Sequence, residues 1–150
     1  MLKISTGLRN AMLASAAMQS SLNLGVINIY AGNVQPTADA ALDSTNVLLC
    51  TITNNSTTTG LTLGGGTGAV SAGILGKTST EVWSGVNVAS GVATMYRHVA
   101  AGDTGALSTT APRIQGQIAT AGSDMNLTNT TLSIGATQTL SSYSVALPTL

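Results

Sequence analysis

From Val86 onward the chain is written in short runs of Val, Ile, Thr and Tyr: VNVASGVATMYRHVA, RIQGQIATAG and DMNLTNTTLSIGATQTLSSYSVALPTL, cut at regular intervals by Gly, Asn, Asp and Ser. β-Branched and aromatic residues suit a pleated, half-buried surface, and the interrupting residues suit tight turns. The stretch from Val86 to Leu147 therefore predicts a system of antiparallel strands. The upstream residues must either dock onto those strands or reach away from them.

A chain of 150 residues is the size of one domain, and such a chain buries roughly 70% of its unfolded surface. Only 7% of its residues are charged, against about 25% in an average globular protein. The five bases (Lys3, Arg9, Lys77, Arg97, Arg113) balance the five acids (Asp39, Asp43, Glu81, Asp103, Asp124). Net charge keeps soluble monomers apart, so a polar but nearly uncharged chain suits packing against other chains. No basic patch is present to neutralise phosphates, and aromatics are too few to stack bases, which argues against nucleic acid. No run approaches the ~18 apolar residues that cross a bilayer, which argues against a membrane. The opening MLKISTGLRNAMLASAAMQSS has some features of a signal peptide, but its apolar part is short and interrupted by Ser, so cleavage is not expected.

The upstream half predicts one helix over residues 5–24. Ser5 or Thr6 caps it, Ile4, Leu8 and Met12 form a stripe, several Ala and Met residues favour it, and Gly25 takes the position after its last turn. VINIYAG (26–32) alternates Ile27 and Ile29 against Val26, Asn28 and Tyr30, as a strand does. NVQPTADAALDST reads as a loop with at most one helical turn, and NVLLCTITN as a second strand buried on both faces. A Gly- and Thr-rich excursion follows at about 55–77, expected to be mobile or ordered only by another subunit. In GVATMYRHVA, alternation sends Arg97 and His98 to opposite faces. In RIQGQIAT it sets Ile114 and Ile118 against Arg113, Gln115 and Gln117, a half-buried strand. In the closing run Gly135 and Ala136 mark a bend, and Tyr143, Val145 and Leu147 share a face.

No catalytic, cofactor or metal site is read from the residues. GKT at 76–78 lacks the glycine that a phosphate loop needs five positions earlier, where Ser71 stands. His98 has no second ligand at metal spacing. Asp103 and Asp124, on separate turns, are fewer carboxylates than a calcium site gathers. Cys50 lies inside the apolar run VLLCTI, as a buried thiol does, and as the single cysteine it excludes an internal disulfide.

The expected architecture is thus mainly β: an N-terminal helical arm (1–25), then an antiparallel β-sandwich (26–150) of jelly-roll or immunoglobulin-like type. The candidate interaction residues are Ile4, Leu8 and Met12 on the helix, with Trp83 and Arg97 on the strands.

Three segments taken in order carry a resemblance: the helix leading into VINIYAG and QPTADAAL, then ASGVATMYRHVA with a downstream GD, then DMNLTNTTLSIGATQTLSSYSVALP. The chain resembles a family of small virion structural proteins of tailed bacteriophages. The matching positions are Tyr30, Gly32, Pro36, Ala38, Asp39, Ala40, Tyr96, Arg97, Asp124, Met125 and Leu127. They cover about two thirds of the chain and transfer no catalytic residue. The resemblance implies a virion protein assembled in the host cytoplasm, a capsid decoration or cement protein. Its partners would be the major capsid protein or other virion proteins and copies of itself. The Gly/Thr-rich segment and the low charge depart from the family pattern. The competing reading is a neck, tail or fibre-associated module that holds a host glycan, for which Trp83, Tyr30, Tyr96 and Tyr143 are a thin supply of aromatics.

Overall fold

Ser5 ends a two-residue strand and starts a helix, and that one residue ties the N-terminus to the body. Its Oγ accepts from the Leu8 amide at 3.1 Å, the bond of an N-cap, and from the Arg113 amide at 2.9 Å, while donating to the Ala111 carbonyl at 2.8 Å. The structure is a computed structural model that describes residues 1–14, 17–64 and 70–146.

The elements run β1 (Lys3–Ile4), α1 (Thr6–Ala14), α2 (Met18–Leu22), β2 (Val26–Ala31), β3 (Val47–Asn54), β4 (Val70–Ser71), β5 (Ile74–Gly76) and β6 (Trp83–Val86). They continue with β7 (Gly91–Val92), β8 (Met95–Val99), β9 (Arg113–Ala119), β10 (Met125–Asn126), β11 (Thr131–Leu132), β12 (Thr137–Leu140) and β13 (Ser144–Ala146). The protein is mainly β with antiparallel sheets, and among the described residues helix lies only at its N-terminal end. One sheet holds eight strands in the order β1-β9-β8-β2-β3-β6-β12, with β10 pairing β9 in parallel. A three-stranded sheet, β13-β5-β4, and a two-stranded sheet, β11-β7, complete it.

Cross-strand register gives the large sheet two contrasting faces. Ile4, Ile114, His98, Ile27 and Ile52 are successive partners across β1, β9, β8, β2 and β3. Lys3, Gln115, Arg97, Asn28 and Thr51 are the corresponding row one residue along. The apolar row is covered from both ends of the sequence: Leu8 and Leu22 of the helices, Leu61, Leu63, Leu75, Trp83 and Val145 all belong to the same buried cluster.

The helical stretch differs from the single helix expected over 5–24. Ala17 has an extended backbone (φ −71°, ψ 151°) and starts α2 afresh. Leu24, not Gly25, takes the left-handed conformation after α2, at φ 59°. Gly25 is required for another reason: a Cβ there would lie 2.4 Å from the Val99 carbonyl oxygen. Gly7 serves the same purpose, since a Cβ on it would stand 2.3 Å from the backbone of Thr110. Helix α1 thus lies directly on the loop before β9.

One further expectation is corrected. The described parts of the 55–77 segment belong to the body, because Leu61 bridges to Gly25, Leu63 bridges to Lys77, and both leucines are fully buried. Residues 65–69, the centre of the glycine-rich tract, and Leu147 lie outside the described residues. The segment at 33–45 is a loop, as expected, without helix, and Asp43 and Asn46 side chains bond its backbone.

Candidate interaction surface

Arg97 and Arg113 stand on the polar face of the large sheet, yet their residues are only 1% and 2% exposed. What covers them is the loop between β2 and β3, together with the segment before β9. Arg97 donates through Nε to Gln115 Oε1 at 2.9 Å and through Nη2 to the Ala40 carbonyl at 2.8 Å. Arg113 donates to Asp103 and to the Ala106 carbonyl, the latter at 2.8 Å. Gln115 Nε2 and Lys3 Nζ both reach the Gln35 carbonyl, at 2.8 and 2.6 Å. Polar side chains that alternation directs away from the apolar core thus meet loop carbonyls rather than water, which supplies the partners that buried polar groups need. The half-buried strand expected from RIQGQIAT is buried on both faces except at Gln117.

The same use of charge extends through the molecule. Asp39 accepts from the Thr6 amide at 2.8 Å and from its hydroxyl, at the start of α1. Burial alone would raise the Asp39 carboxyl, but the Thr6 bonds outweigh it and lower the pKa. Asp43 accepts from Thr45, Gln35 and Asn33, and those bonds, led by the Thr45 hydroxyl, hold it down to about 2. Glu81 accepts from Trp83 Nε1 and the Thr62 amide, and Lys77 donates to the carbonyls of Thr78 and Glu81. Asp124 takes the Gln117 amide and the Met1 ammonium, each at 3.0 Å, and Arg9 donates to Thr6 Oγ1 at 2.9 Å. With Lys3, Arg97, Arg113 and Asp103 counted, all ten charged side chains of the sequence hydrogen-bond within the chain.

On the other face, Trp83, His98, Tyr96 and Tyr143 form one aromatic group. Tyr143 lies 5.5 Å from both Trp83 and His98, centroid to centroid, and 6.4 Å from Tyr96. His98 Nδ1 is 3.2 Å from the Tyr143 hydroxyl. Burial drives the His98 pKa down to about 4, opposed only in part by the Leu22 backbone. Burial also raises the Cys50 thiol to about 11, which keeps it a neutral apolar group.

Much of what is exposed is aliphatic or hydroxylic. Val47, Leu48, Val86, Val88, Val92 and Ile134 are exposed, Val88 at 59% and Ile134 at 67%. They sit on neighbouring segments: the Val88 amide bonds the Leu49 carbonyl at 2.8 Å, the Ile134 amide bonds Ser90 Oγ at 2.9 Å, and Val92 pairs with Thr131. Apolar side chains left in water on neighbouring segments are candidates for a contact surface.

No family model, curated protein or solved structure matches the chain.

The residues expected to make outside contacts lie elsewhere. Leu8 and Trp83 are fully buried and Arg97 nearly so, because α1, the aromatic group and the β2–β3 loop enclose them within their own chain. Ile4 and Met12 are half-buried and packed against the same core. Leu8, Trp83 and Arg97 offer no open face in this conformation. The exposed valines were hidden from sequence reasoning, since a valine on a strand reads as core whichever way it faces. Among the described residues no group of three or more His, Cys, Asp and Glu is placed to hold a metal ion. Asp103 and Asp124 are taken up separately, one by Arg113 and the other by the Met1 ammonium. Among the described residues no helix is long and apolar enough to cross a membrane.

Proposed function

We propose that this chain is a structural component of a tailed-bacteriophage particle, a capsid decoration or cement protein that binds the major capsid protein and stabilises the shell. It acts by contact alone, with no catalytic step and no cofactor. The observation that carries this reading is the disposition of charge. All ten ionic side chains are hydrogen-bonded to partners within the chain, and valines, leucines, threonines and serines stand exposed without a charge to offer. Such a surface resists association poorly when alone and associates well when neighbours are held close. Repetition over a shell lets modest contacts act together, because each additional engaged site is an intramolecular event. The sequence resemblance to virion proteins supports the same reading.

The test is made on particles. Purified virions should contain this chain at a copy number comparable to that of the coat protein. A dozen copies or fewer would move it to the neck or tail, and absence would end the proposal. Replacing Val88 and Ile134 by Asp should release the folded chain from particles without changing its thermal midpoint.

A further inference from the structure

We propose that β12 is an assembly edge: it pairs antiparallel with β12 of a second copy of this chain, carrying the large sheet across a two-fold axis. The inference stands on the edge itself and does not require the virion reading.

Strand β12 ends the eight-stranded sheet, and among the described residues its one strand partner is β6. The phase of that ladder is set just before the strand. Asn87 donates to the Ala136 carbonyl at 2.9 Å, and Gly135, at φ 80°, donates to the Asn87 carbonyl at 2.9 Å, the geometry of a bulge opened by a left-handed glycine. Counting on by twos, Gln138 and Leu140 exchange hydrogen bonds with Gly85 and Trp83. Thr137 and Thr139 therefore turn their N–H and C=O groups away from β6. Both residues are exposed, and among the described residues no hydrogen bond outside the ladder is made by Thr137–Leu140.

Natural sheets protect such an edge with Lys, Pro, an inward charge or a covering segment. Here the bulge lies before the first residue of the strand and leaves Thr137–Leu140 regular; residues 126–128 line a cleft with residues 138–142, but among the described residues no hydrogen bond joins that segment to the strand. From position 128 to 146 the sequence contains no Asp, Glu, Lys, Arg or Pro. That neutrality suits a second copy as the occupant. A two-fold interface presents each patch to its own copy, and any charge beside the edge would meet itself there. An edge meant for a foreign strand has no such reason to be free of charge. Thr has a high strand preference and pairs well with Thr or Gln across a ladder. Val86, the ladder partner of Thr137, and Ile134, just before the strand, are 48% and 67% exposed and add apolar area to the hydrogen bonds.

Sedimentation equilibrium of the full chain, from micromolar to submillimolar concentration, is the first measurement, with T139K as the variant. The wild-type chain should dimerise. T139K should weaken the dimer by about tenfold or more, equivalent to 1.4 kcal/mol, with an unchanged circular dichroism spectrum, because the Thr139 side chain is exposed. Amide exchange on the wild-type chain gives an independent reading that holds even if the variant misfolds. The Thr137 and Thr139 amides should exchange more slowly as concentration rises, while the Gln138 amide, already bonded to β6, should not change. A monomer throughout the range, a dimer indifferent to T139K, or concentration-independent exchange at Thr137 and Thr139 would overturn the proposal.

Discussion

Arg113 and Asp103 meet through two parallel hydrogen bonds, Nε to Oδ2 at 2.7 Å and Nη2 to Oδ1 at 3.0 Å, with side chains only 2% and 6% exposed. A bidentate pair of this kind fixes orientation as well as charge. It holds the segment before β9 over the polar face of the sheet.

Removing one member leaves the other charge buried and unpaired. Asp103→Asn should therefore cost about 3–5 kcal/mol, read as a fall in the urea midpoint. A loss under about 1 kcal/mol, the worth of a surface ion pair, would mean that Arg113 finds water when Asp103 is neutral.

Among the described residues Arg97 has no carboxylate partner, and its bonds go to Gln115 and the Ala40 carbonyl. Arg97→Met keeps most of the volume but orphans both acceptors, at a cost of about 1–3 kcal/mol for each acceptor left unsatisfied. Hydrogen exchange should report the loss as faster opening of residues 37–42, with the amides of β2 and β3 still protected. Uniform loss of protection across the sheet would show that Arg97 supports the whole fold rather than the loop.

His98 makes stability depend on pH. Its folded pKa, about 4, lies below the ordinary 6.5, so the unfolded chain takes up the proton first as pH falls. Stability is fully present above 6.5 and declines as pH falls toward about 4. At 1.36 kcal/mol per unit the loss is roughly 3 kcal/mol. Carboxylates with lowered pKa, such as Asp39 and Asp124, contribute above their ordinary 3.8 and lose that contribution only below it, so the two effects fall in different windows. A urea series across pH should show the decline, and His98→Phe should flatten it between 6.5 and 4. An unchanged slope in that variant would assign the dependence to another group.

The N-terminal segment should behave as core. Leu8 is fully buried and Ser5 is bonded to both Ala111 and Arg113. Leu8→Ala should cost about 2–5 kcal/mol, and deletion of residues 1–24 should abolish the cooperative melt. A truncated chain that still melts cooperatively would return α1 and α2 to the role of a detachable arm.

These predictions also mark where sequence reasoning succeeds and where it stops. The Ser5 cap, the inward Ile27 and Ile29, and the bend at Gly135 follow from rules that act within a few residues, and each is found. Alternation also separates Arg97 from His98 correctly, but it cannot say where water lies. A row containing Lys3, Gln115, Arg97 and Asn28 reads as a solvent face. It is dry because a loop beginning some sixty residues before Arg97 folds over it and presents carbonyls. The same limit governs the contact residues. Leu8 and Trp83 have the chemistry of anchors, and the tertiary fold uses them on itself. Val88 and Ile134 have the chemistry of core, and the fold leaves them outside.

The lack of charge among the exposed contact residues has a consequence for the medium around the molecule. Dissolved salt screens charges that face it, and Val86, Val88, Val92 and Ile134 carry none. Contacts made through methyl groups weaken on cooling instead. A joint built from this chain should hold alike in brine and in rainwater, and loosen in the cold.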